Sequence, residues 1–150
     1  GYNFRMDEMS AAIGVVQMKR LPWMIKERQK IAETYNKKLG KIEGVITPYT
    51  APHNTNTWFV YTICVEEGIN RDKAMEYLNK NGVASKPYFP SLHLQPIYKE
   101  LLPYKEGDFP VSEAISKSIL ALPFFITLTD GEIEYVTEKV GEAVNAASKK

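Results

Sequence analysis

The chain has 150 residues, 44% of them hydrophobic and 25% charged, with 19 basic against 18 acidic side chains. That length suits one ordinary domain, and the balance of apolar and charged residues excludes a disordered chain. A formal charge of +1 with interspersed signs argues against a nucleic-acid partner, and no apolar run approaches the roughly 20 residues that a membrane helix needs.

From Asp7 onward, Met9, Ala12, Ile13 and Val16 recur at helical spacing, and the Asp7 carboxylate can cap the first free amides. Pro22 lacks a backbone donor, so the helix is expected to kink or restart there. Ile25, Ala32, Tyr35 and Leu39 then line one face until Gly40 stops it. The expectation is a long, broken helix.

The stretch "VITPYTAPHNTN" mixes prolines with turn formers, which predicts a short strand at Val45 to Thr47 and then a loop. "TWFVYTICV", Thr57 to Val65, is β-branched and aromatic at both alternating sets of positions, the pattern of a strand covered on both faces. Asn70 caps a helix whose Ala74, Tyr77 and Leu78 share a face. Gly82 follows its end, ahead of a short strand in "VASKPY".

"FPSLHLQPIYKELLPY" is too apolar for a flexible linker and too interrupted by proline for regular structure beyond a turn, so a packed loop is expected. Ser112 to Leu122 reads as a helix ended by Pro123. Thr129 and Glu132 form a capping box ahead of Ile133, Val136, Val140 and Val144. No internal repeat appears. This order predicts an α+β fold: a small antiparallel or mixed sheet covered by helices and preceded by the long broken helix.

Standard catalytic signatures are absent: the chain has no GxGxxG, P-loop, GxSxG, HExxH or CxxC. Its two histidines, His53 and His93, lack the ligand spacing of a metal site, so no metal is expected. The single cysteine, Cys64, cannot form an internal disulfide and falls mid-strand, where a buried, unreactive thiol is expected. With no signal-peptide pattern, a reducing cytoplasm fits best.

Two places carry candidate chemistry. His93 lies in "FPSLHLQP", where flanking prolines fix the backbone and can hold an imidazole toward a cleft. The plainer alternative is a histidine hydrogen-bonded within a packed loop. Asn3 and Arg5 precede a helix start, where an amide and a guanidinium can converge on an anion, against the plain reading of a frayed terminus.

Four stretches in order, "GYNFRMDEMSAAIGVVQMKRL", "NTWFVYTI", "PYFPSLHLQP" and "LPFFITLTDGEIEYV", resemble the DegT/DnrJ/EryC1/StrS aminotransferases, pyridoxal-phosphate (PLP) enzymes acting mostly on nucleotide-linked keto-sugars. The resemblance implies the C-terminal part of such an enzyme, with residues 1–40 leading in through the long helix. Residues 41–150 would form the small domain of a fold-type I PLP-dependent transferase. The Schiff-base lysine would lie upstream, so no catalytic residue is expected in this chain and Gly1 reads as an internal position.

Carried over residue by residue, the resemblance implies that Asn3 reaches the PLP phosphate of a neighbouring subunit. Arg5, His93 and Lys86 would lie on the substrate side. Lys86 stands where close relatives often have arginine, which reduces a bidentate anion contact to a point charge. A homodimer, a nucleotide-sugar substrate and glutamate as amino donor are implied as well. The competing reading is a non-catalytic interaction or regulatory module of the same fold.

Overall fold

The computed structural model describes residues 2–148; Gly1, together with Lys149 and Lys150 of the basic end, lies outside the described residues. The first helix, α1 (Glu8–Leu39), starts where Asp7 Oδ1 accepts from the Ser10 amide at 2.9 Å and Oδ2 from the Ser10 hydroxyl at 2.7 Å. Such a cap satisfies an amide that has no intrahelical partner.

Of the kink or restart expected at Pro22, the restart does not occur: α1 is one helix with the proline inside it. A proline removes one donor from the ladder, and the helix continues far enough on both sides to carry that loss. Burial divides α1 instead. Ile31, Ala32, Tyr35 and Leu39 are buried in its C-terminal half, whereas Met9, Ile13 and Val16 are exposed.

The remaining elements are β1 (Val45–Ile46), β2 (Tyr61–Val65), α2 (Arg71–Lys80), β3 (Lys86–Pro87), a 3-10 turn (Leu92–Leu94), α3 (Pro96–Leu101), α4 (Pro110–Ser118), β4 (Ile119–Leu122) and α5 (Asp130–Ala147). The four strands form one antiparallel sheet in the order β1-β2-β4-β3. The predicted α+β class therefore holds, with the sheet antiparallel rather than mixed.

Three local expectations are corrected. First, the strand predicted from Thr57 begins at Tyr61, because Trp58 has φ +52°, outside the extended region, and its amide turns back to Asn56 Oδ1 at 2.9 Å. Second, the helix predicted over Ser112 to Leu122 ends at Ser118, and Ile119–Leu122 become the strand between β2 and β3. The Arg71 guanidinium donates to the Ile119 carbonyl at 2.8 Å, just beyond the end of that helix. Third, the segment expected as a loop after Tyr88 carries the 3-10 turn and α3, whose first residue is Pro96, a proline position that costs no helical bond.

Register explains the core. Tyr61 pairs with Leu122 and Ile63 with Leu120, so these four point to one face, where they meet α1, α2 and α5. The opposite face, with Thr62, Cys64 and Ile119, is only half-buried, so the strand is not fully covered on both sides and Cys64 is a half-buried free thiol. In α5 the capping box is complete: Thr129 Oγ1 accepts from the Glu132 amide, and Glu132 Oε2 accepts from the Thr129 amide at 2.8 Å. The helix buries Ile133, Val136, Val140 and Val144, as its spacing predicts.

Aromatic rings close the junction of α1 with the sheet. Tyr61 lies 4.8 Å from Tyr35, 5.7 Å from Trp58 and 5.8 Å from Phe124 between ring centres. The two buried phenols are satisfied at the polar end, Tyr35 donating to the Pro123 carbonyl at 2.9 Å and Tyr61 to Asn36 Oδ1 at 2.6 Å. Burial pushes both phenols far above the ordinary tyrosine range, so they remain protonated donors.

The turn into β1 depends on Gly44, which has φ +84° and whose missing Cβ would stand 2.4 Å from Ile69 Cδ1. Gly44→Ala is expected to destabilise the chain by about 1–2 kcal/mol through the backbone alone. Urea unfolding measures this, and an unchanged midpoint would contradict the assigned turn.

Candidate functional site

The candidate residues fall into two groups, and none of the described hydrogen bonds or ion pairs joins them. Asn3 and Arg5 lie in the exposed segment without regular secondary structure that leads into α1, where Arg5 Nε donates to Asn3 Oδ1 at 3.3 Å. Each therefore keeps donors directed elsewhere: the Asn3 amide nitrogen and the guanidinium's terminal nitrogens.

Lys86 and His93 belong to the second group. Lys86 is exposed on the edge strand β3, paired with Ala121, and makes no ion pair among the described residues. Between them, Phe89 takes φ +54° ahead of Pro90 and stays exposed, 4.5 Å from the Tyr88 ring. A left-handed aromatic residue stores backbone strain, which persists only where the surroundings impose it. A groove of about 260 Å³ runs beside this segment, lined by Tyr88, Phe89, Leu92, Ser112 and Ile115.

His93 is buried in the 3-10 turn, with Nε2 2.9 Å from Glu113 Oε1 and its ring 4.7 Å from that of Phe109. The plainer alternative read from the sequence, a hydrogen-bonded loop histidine, is thus the local geometry. Sequence reasoning does not single out Glu113. It sits in the first turn of α4, four residues after the N-cap Phe109, and reaches back over the helix start. An acidic residue soon after proline in "FPVSE" is the signal that points to it, since first-turn carboxylates favour the free amides there.

The Glu113 carboxylate accepts from the Gly107 amide at 2.9 and 3.0 Å and from the Phe109 amide at 3.3 Å, besides the histidine. Burial alone would push its pKa up, but the Gly107 amide, His93 and the Phe109 amide together outweigh it and hold the carboxyl below the ordinary 4.5. A depressed folded value means that this stabilisation is complete above pH 4.5 and is lost as pH falls through the folded value. The Gly107 amide resonance is therefore expected to shift at more acidic pH than an exposed glutamate titrates. A midpoint at or above 4.5 would contradict the arrangement.

The donor set of the first group suits an anion: the one side-chain amide nitrogen of Asn3 and the two terminal guanidinium nitrogens of Arg5 are uncommitted. Phosphate or carboxylate is the kind of group such donors fit, and Asn3 is the side chain that would hold a phosphate-bearing cofactor. No group of three or more histidine, cysteine, aspartate or glutamate side chains that could hold a metal occurs among the described residues. No helix among them is long and apolar enough to cross a membrane.

A small antiparallel sheet packed under helices and led by one long helix is the class of fold that these elements define. The chain belongs to the DegT/DnrJ/EryC1/StrS aminotransferase family, whose model matches residues 1–141. It is 38% identical over 145 residues to the pleiotropic regulatory protein of Geobacillus stearothermophilus, covering 95% of this chain and 38% of that protein. It is 30% identical over 139 residues to the GDP-perosamine synthase of Caulobacter vibrioides, covering 91% of this chain and 37% of that protein. Among solved structures, the aminotransferase TlmJ from Streptoalloteichus hindustanus superposes with a TM-score of 0.84 at 28% identity, over 97% of this chain and 38% of that one. The chain thus spans well under half the length of the relatives it matches.

Proposed function

We propose that this chain is the C-terminal part of a PLP-dependent aminotransferase acting on a nucleotide-linked keto-sugar. The family match running unbroken over residues 1–141, in a chain that spans 37% of a GDP-perosamine synthase, carries this reading. Residues 1–40 would lead from the cofactor-bearing portion into residues 41–150, the small domain.

Bound PLP supplies the electron sink that amino transfer requires. In this reading Asn3 donates its side-chain amide to the cofactor phosphate across a subunit boundary of a homodimer, and Arg5, near the same site, offers its guanidinium to an anionic group of the substrate. Lys86 offers a point charge to an anionic part of the nucleotide sugar or to the carboxylate of a glutamate donor. His93 faces the substrate side with the ring atom that Glu113 leaves free. The exposed Met9, Ile13 and Val16 of α1 form an apolar strip that the rest of the parent enzyme would cover.

In this reading the Schiff-base lysine lies outside this chain, so the chain alone is expected not to transaminate. Incubation with PLP followed by borohydride reduction and peptide mapping is expected to yield no stoichiometric adduct at a single lysine. A specific adduct at full occupancy would overturn that assignment. The alternative of a non-catalytic module gains no support from any feature of the fold.

A further inference from the structure

Glu113 and His93 are the only buried carboxylate and the only buried imidazole among the described residues, and they come from separate segments 20 positions apart. An ionised carboxylate accepts hydrogen bonds and donates none. Glu113 meets that description, since the Gly107 and Phe109 amides both point at it and can only donate. The His93 nitrogen that faces the same oxygen must therefore carry a hydrogen.

We propose that Glu113 is a positioning residue for His93: it holds the neutral ring in the Nε2–H tautomer and leaves Nδ1 as the ring atom free to accept a hydrogen bond. The same carboxylate ties the turn at 105–109 to the loop at 89–95, so both loops keep one relative position. Packing locks the ring plane as well, with Phe109 against His93 and Tyr104 edge-on to Phe109 at 5.2 Å. A second tie runs from the Ser112 hydroxyl to the Ser91 hydroxyl at 3.3 Å. A polar group that is buried and fully partnered in this way restricts orientation more than it adds stability.

The chemical consequence is a fixed acceptor. Nδ1 can receive a hydrogen bond from a hydroxyl, as on a sugar, and it does so without rotating the ring. Its use on substrate rests on the aminotransferase reading above, whereas the tautomer does not.

Nitrogen-15 spectra of the imidazoles in the 150-residue chain test this at about pH 8, where an ordinary histidine is neutral. The chain has two histidines, and His53, exposed in the loop before β2, provides an internal reference. His93 is expected to show a protonated Nε2 and a bare Nδ1; a protonated Nδ1 overturns the proposal. In Glu113→Gln an NH2 group replaces one oxygen: in one amide orientation it stands against the Gly107 N–H, and in the other it also faces His93 Nε2 and the Phe109 N–H, so a donor meets a donor either way.

That variant is expected to mix the two tautomers and to speed hydrogen exchange at the Gly107 and Phe109 amides by about tenfold or more, with α5 amides unaffected. Glu113→Asp, which keeps both oxygens, should recover part of the tautomer preference. Unchanged tautomer and unchanged exchange in Glu113→Gln also overturn the proposal. If the variants do not fold, the tautomer of the unsubstituted chain decides. That tautomer is read without substrate, so it tests the Glu113 role whether or not the aminotransferase reading holds.

Discussion

Tyr61→Ala is expected to lower the unfolding free energy by about 3–5 kcal/mol, the range for deleting a large buried aromatic side chain. Tyr61 has no exposed surface and sits where β2 meets α1, against Tyr35, Trp58 and Phe124. Its removal leaves a hole lined by three other rings, which cannot collapse without moving both the helix and the strand. It also leaves Asn36 Oδ1 without the phenol that donates to it. Since an ordinary domain is stable by about 5–15 kcal/mol, the variant should stand close to unfolding.

Tyr61→Phe separates the two contributions. It keeps the ring and loses the hydrogen bond, so about 1 kcal/mol is expected. Urea unfolding followed by circular dichroism measures both variants. A loss below about 1.5 kcal/mol in Tyr61→Ala would mean that the aromatic junction does not hold α1 to the sheet.

The second large effect concerns the proposed cofactor contact. Asn3→Ala, in the proposed dimeric aminotransferase, is expected to weaken cofactor binding by about 10- to 100-fold. That follows from a hydrogen bond to a charged group worth about 1.5–3 kcal/mol. Arg5→Ala should instead raise KM for the anionic substrate and make it less sensitive to salt, because a screened charge is what it removes. Both side chains are exposed ahead of α1, so melting temperature should not move. Equilibrium titration with PLP that finds full affinity in Asn3→Ala would refute the phosphate role.

The helices with local punctuation are legible in the sequence. Asp7, Asn70 and the Thr129–Glu132 box each cap the helix that they precede, through bonds spanning three residues. A bond that short is determined by neighbours in the chain, so spacing alone reveals it. The core face of α5 is legible for the same reason: its apolar residues repeat at the period of the helix itself.

The family resemblance is legible as well, and its motifs mark Asn3, Arg5, Lys86 and His93 without any geometry. They cannot supply distances. The structure brings Asn3 to Arg5 and leaves Lys86 exposed on an edge strand, while the bond from His93 goes to a partner that no motif names.

What only the tertiary structure decided depends on residues far apart in the chain. "ILAL" at 119–122 extends an apolar run that a helix could accept equally well, and it becomes a strand because β2 offers it a ladder from Tyr61 to Cys64. Pro22 reads as a break, yet α1 continues through it, and which half of that helix is core depends on the Tyr35, Tyr61 and Phe124 rings meeting across the fold. The Glu113 carboxylate acquires its meaning only when the chain folds the 105–109 turn and His93 onto it. Local hydrogen bonds and periodicity are written in consecutive residues, whereas pairing, burial and the partner of a buried charge are settled by which distant surfaces exclude water together.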